Sequence, residues 1–165
     1  MWKNLIKLLH FASLAGLAGG IVVSLVLADT IEATSPSATA GMHAAIALIC
    51  GAVIVPSMIV LLLTGMLLVV ARPHLINARW VWAKALLGLA TAVVVLLALQ
   101  PAVIAAAAMA ATGALGDAAL GPLAPVVESE NAAAWWTLGM VLIALVVAIW
   151  RPRLGRPVAP AGELD

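Results

Sequence analysis

An ionisable side chain inside a bilayer is costly, so a chain that keeps one there does so for chemistry or for packing. Two stand out here, His10 and Lys84, each a few residues inside an apolar segment with a basic flank. By helical rise, Lys3 to His10 is about 10 Å and Arg79 to Lys84 about 7.5 Å, so the two lie at similar depth. Met66 stands six residues before Arg72, about 9 Å of helix, and falls in the same layer. An imidazole, an amine and a thioether at one depth on three helices could hold a metal ion or a haem iron, whose axial ligands include His and Met. His10 is the metal ligand of this set. Each residue also has an ordinary reading. Lys84 can snorkel to the interface, His10 can hydrogen-bond a neighbouring carbonyl or hydroxyl, and Met66 can fill the core.

His10 and His43 do not make a second metal pair. His43 is expected at the far end of the second apolar segment, some 25 Å of helix from His10, whereas metal–nitrogen bonds are about 2 Å. His43 reads as an interfacial residue, or as an outer-side ligand with groups such as Asp29 and Glu32. His74, in a basic turn, reads as solvated.

These side chains are positioned by four apolar segments, at about 5–27, 42–71, 80–100 and 132–150, each near the roughly 20 residues a bilayer core needs. All eight Lys and Arg residues (Lys3, Lys7, Arg72, Arg79, Lys84, Arg151, Arg153 and Arg156) fall on one side of them. Asp29, Glu32, Asp117, Glu128 and Glu130 fall in the two opposite connections, 28–41 and 112–131. Cytoplasmic flanks are enriched in Lys and Arg, so both termini are expected in the cytoplasm. Trp2, Trp80, Trp82 and Trp150 mark the basic side and Trp135 and Trp136 the acidic side, as interfacial belts do.

The fold class expected is all-α, a polytopic four-transmembrane-helix bundle filling 1–150, with a Pro-rich, disordered cytoplasmic tail at 151–165. A chain of 165 residues that is 65% hydrophobic and 9% charged has almost no material for a soluble domain. The net charge of +1 is already explained by topology, which argues against nucleic acid as a partner. The single cysteine, Cys50, excludes an intramolecular disulfide and a cysteine cluster. A signal peptide is disfavoured for the first segment, which reaches spanning length and ends in an acidic loop. Pro56 removes a donor from the second span and predicts a tilt or kink there. The stretch 102–111 either continues the third helix with a bend or lies on the outer surface. Gly16 and Gly20 form a small-xxx-small pair for close helix approach, within the bundle or between copies of the chain. No phosphate loop, no metalloprotease His pair and no Ser/His/Asp set is present. Intramembrane carboxylates in a line, as ion-driven carriers use, are absent from this reading.

Three segments resemble a known group of small membrane proteins. KLLHFASLAGLAGG (Lys7 to Gly20) resembles the first helix of CopD-like copper-resistance proteins, with a Leu-His pair separated by eight residues from Gly19-Gly20. VPSMIVLLLTGMLL (Val55 to Leu68) looks like their second characteristic helix, a Pro followed by Leu-Thr-Gly, and RWVWAKALLG (Arg79 to Gly88) like the next. A His in the first helix and a Lys in the third also resemble HemJ-type protoporphyrinogen oxidases, where those residues are associated with haem b. The resemblance covers about half of the chain. Leu17 stands where those families usually have Trp, and the HemJ group's Arg after the first helix and further His in the third span are missing. The resemblance therefore implies haem b binding without implying the oxidase reaction.

The functional expectation is a haem-b-binding protein of a bacterial-type inner membrane, carrying electrons at the cytoplasmic leaflet. His10 would be an axial ligand, Lys84 the second ligand or the partner of a propionate, and Met66 a lesser candidate opposite His10. Its partners would be the lipid bilayer, a redox protein or further copies of itself. The alternatives are copper transport or resistance along His10, Met58, Met66 and Met109, and a cofactor-free accessory subunit.

Overall fold

A computed structural model describes residues 2–30, 35–71, 79–113 and 120–150. The expected tail at 151–165 lies outside these residues, as does the basic turn with His74. Among the described residues every element is helical, and these residues form four rods. We label them α1 (Trp2–Thr30), α2 (36–70), α3 (79–113) and α4 (Leu120–Trp150). Each contains a stretch long and apolar enough to cross a membrane: Asn4–Thr30, Ser37–Val70, Arg79–Thr112 and Leu123–Trp150. This is the architecture of an all-α, multi-pass membrane protein. The apolar side chains on its outside, among them Leu8, Phe11, Leu97 and Ile149, are suited to lipid contact.

The rods run further than the apolar segments alone suggest. α3 does not leave its path at Gln100-Pro101 but continues through the alanines to Gly113. α4 begins at Leu120, twelve residues before the expected start of span four, so most of the supposed outer connection is helix. Spans of 34 residues in α2 and α3 measure about 51 Å, against about 30 Å of hydrocarbon. Their acidic-end halves therefore build a second small core past the outer tryptophans, where Ala106, Ala110 and Leu123 pack with Ala40 and Met109. Alanine fits there because helices can approach closely only where side chains are small.

Two prolines shape the rods in the same way. In α2 an α-helix, Pro36–Ile49, passes into a wide turn, Cys50–Ile54, and then into Val55–Val70. In α3 the sequence is Arg79–Val94, a wide turn Val95–Leu99, and Gln100–Gly113. The N–H of Val55 reaches back five residues to the Cys50 carbonyl, and that of Gln100 to Val95. Pro56 and Pro101 follow immediately. A proline ring collides with the carbonyl four residues earlier, and a preceding i→i+5 turn moves that carbonyl aside. The expected disturbance at Pro56 is thus absorbed as a wide turn, and Pro101 does the same in α3.

The main core joins all four rods through Leu17, Ile21, Ile46, Ile54, Met58, Val95, Leu99 and Val141. α1 lies closest along the basic half of α2, where Gly16 and Gly20 set the approach. A Cβ on Gly16 would stand 2.5 Å from Ser57 Oγ, and one on Gly20 2.8 Å from Ile54 Cγ1. Gly19 has nothing within 4 Å. The small-residue face is therefore used inside the chain and is not left over for contact between copies. The acidic half of α2 packs mainly on α3, and α4 lies along α3 at both ends.

Candidate functional site

His10 sits on the α1 face that meets α2, half-buried, about one and two-thirds helical turns before Gly16. Its Nδ1 lies 2.9 Å from Thr64 Oγ1. The Thr64 hydroxyl has one hydrogen, and that hydrogen is directed into its own helix, to the Val60 carbonyl at 2.7 Å and the Leu61 carbonyl at 3.1 Å. With that hydrogen on its own helix, Oγ1 offers a lone pair toward His10, the arrangement in which a neutral ring donates from Nδ1. With the proton on Nδ1, Nε2 carries a free lone pair. Gly65 completes the seat, since a Cβ there would lie 3.5 Å from His10 Cε1, an ordinary contact. The Leu-His and Leu-Thr-Gly segments of the sequence thus meet face to face.

Lys84, half-buried on α3, lies within electrostatic range of the His10 ring. Among the described residues no carboxylate pairs with it. Met66 is not part of the group. It is 69% exposed and faces outward from the bundle. Depth alone put it beside His10, but two residues after Thr64 is about 200° around the helix, on nearly the opposite side. The copper path fares similarly, because Met58 is in the core, Met66 on the outside and Met109 in the acidic-end cluster. No cluster of three or more His, Cys, Asp or Glu side chains suited to a metal ion occurs among the described residues.

A second polar site lies at the acidic end. His43, expected at the interface or beside Asp29 and Glu32, is instead 1% exposed within the bundle. Glu130, assigned above to a connection, is inside α4 and equally buried. His43 Nδ1 and Glu130 Oε2 face each other at 3.7 Å. Neither ring nitrogen of His43 has a hydrogen-bond partner among the described residues, and neither does Oε2. Asp29 is exposed at the end of α1, and Glu32 lies outside the described residues.

Sequence reasoning missed this pair because VVESEN after Pro125 has the composition of a loop. The usable signal was spacing. Glu130, Ala133, Ala134, Thr137 and Val141 form one buried stripe on α4, as Thr39, His43, Ile46 and Cys50 do on α2. Extending the small-residue stripe of span four back by one turn lands on Glu130.

Beside Glu130 in sequence, Asn131 joins Asp29, Thr30 and Trp135 around an open groove of about 460 Å³ between α1 and α4. Other buried hydroxyls bond backbone carbonyls one turn back: Ser13 to Leu9, Ser24 to Gly20, Thr39 to Ser35, Thr91 to Leu87 and Thr137 to Ala133.

No family model matches this chain, no curated protein is significantly similar to it, and no solved structure matches its fold.

Proposed function

We propose that the chain binds haem b through His10, near the basic face of the membrane, and serves in electron transfer. The single observation that supports this reading is the 2.9 Å contact between His10 Nδ1 and Thr64 Oγ1. A histidine that ligates a metal normally donates its other ring N–H to an oxygen, which fixes the tautomer and aims the free nitrogen. Thr64 plays that part for His10, because its own hydrogen is already spent on its helix. The donor set fits a haem better than a bare metal ion, since one imidazole with no further His, Cys or carboxylate beside it suits an axial position and not a cage.

Bound there, haem would supply one-electron exchange between partners at the membrane surface. The chain's own residues do the rest. His10 would hold the iron, Thr64 would orient its ring, and Lys84 would offer an amine to the iron or to a propionate. The outward-facing Met66 is left out of the ligand set. In the same reading both termini are cytoplasmic, the membrane is a bacterial-type inner membrane, and a redox partner docks at the cytoplasmic leaflet.

The test is the visible spectrum of gently purified protein, oxidised and then reduced with dithionite. The expected result is a Soret band with sharp reduced α and β bands, lost in His10→Ala and perturbed in Lys84→Met. A colourless preparation that also fails to take up added haemin overturns the proposal.

A further inference from the structure

His43 and Glu130 play no part in the proposed haem site, yet they are the buried pair whose polar atoms are left unmatched among the described residues. They come from different rods, α2 and α4, and their helical neighbours Ile46, Ala133 and Ala134 are buried and apolar. A bare carboxylate in such a place leaves one negative charge in a low-dielectric core, which is costly without a cation. No lysine or arginine is present to supply one in the described acidic halves of the rods. α3 from Gln100 to Gly113 carries no titratable group at all. The nearby ionisable residues are themselves neutral or acidic: Cys50, buried two turns along the same face of α2, Glu128, exposed on α4, and Asp29, exposed at the end of α1.

We propose that His43 and Glu130 together bind one exchangeable proton, carried in a hydrogen bond between Nδ1 and Oε2 that ties α2 to α4. The balance is simple. A proton from water forms one N–H or O–H bond, the charge of the pair goes from minus one to zero, and no other bond changes. The 3.7 Å separation has to close by only about 1 Å to reach the length of a charge-assisted hydrogen bond. Side-chain torsions can supply that. Whether the proton rests on the ring or on the carboxyl, the pair is neutral as a unit, and one hydrogen satisfies both facing atoms. The groove is lined by the half-buried Asn131, next to Glu130 in sequence, and by the exposed Asp29 and Thr30 of α1, which gives water a nearby approach.

The test uses the full chain in lipid nanodiscs at pH 7, with infrared spectroscopy of the carboxyl groups and 15N spectra of the histidine rings. The expected result is either a protonated-acid C=O band or a doubly protonated His43 ring, removed by Glu130→Gln and unchanged in Glu128→Gln. Glu130→Asp, which keeps the acid on a shorter stem, shifts the signal without abolishing it and stands in if Glu130→Gln fails to fold. A spectrum showing Glu130 as carboxylate and the His43 ring with a single proton overturns the proposal, whatever ion then accompanies the carboxylate.

Discussion

Each end of the bundle holds a histidine between two helices, and the two differ in what faces the ring. At the basic end His10 meets a hydroxyl whose hydrogen is already committed, at 2.9 Å. At the acidic end His43 faces a carboxylate at 3.7 Å and has no hydrogen-bond partner among the described residues. The difference is between a neutral partner and a charged one. A neutral acceptor fixes the tautomer and leaves the other nitrogen free for a ligand. A buried carboxylate ties the ring to its own charge state instead. The first arrangement suits a fixed ligand, and the second a mobile cation.

The largest test of that contrast is to remove His43. His43→Leu strands Glu130 in an apolar core and is expected to destabilise the fold by about 3–5 kcal/mol, the usual result of breaking a buried pair from one side. The double variant His43→Leu, Glu130→Leu should recover most of that loss, because no polar atom is then left behind. Unfolding midpoints in detergent, compared across the cycle, check both. His10→Leu should cost far less, since Thr64 keeps its own carbonyl partners.

Next in size is the orienting hydroxyl. Thr64→Val removes the acceptor for Nδ1 and is expected to weaken haemin uptake about 10–100-fold, with Thr64→Ser close to wild type. A haemin titration followed at the Soret band measures it, and an unchanged affinity in Thr64→Val would remove the tautomer argument. The helix contact beneath the site comes third. Gly20→Val drives a branched side chain into Ile54 and should cost about 1–3 kcal/mol, whereas Gly19→Ala, with open space around it, should change stability by less than about 1 kcal/mol. The smallest effect expected is that of Met66→Leu, which should leave the spectrum unmoved because the thioether faces outward.

The four rods and their two-sided charge pattern were legible because apolar length and basic flanks are local properties of the chain. The depth expected for His10 and Lys84 rested on the same property, since each could be counted from a nearby arginine or lysine. What depth does not carry is angle. Met66 lies at the right level and on the wrong side, and only the meeting of Thr64 with His10 shows which side of α2 is inward. Glu130 escaped because acids after a proline look like a turn, and the helix there is held by tertiary packing of α4 along α3. The continuation of α3 beyond Pro101 was one of two readings of 102–111, left open because a wide turn, unlike a break, leaves no mark in composition.

The uneven sharing of contacts among the rods also bears on the order in which the protein is made. Chains are synthesised from the N-terminus, and helices insert before they finish packing. The glycine face of α1 finds Ile54 and Ser57 as soon as α2 is in the membrane, so the His10–Thr64 contact can form with less than half of the chain present. Glu130 belongs to the last rod. During insertion His43 waits beside α3 without its carboxylate, and the acidic end closes only when α4 arrives, which makes the burial of that pair the step that marks a completed four-rod bundle.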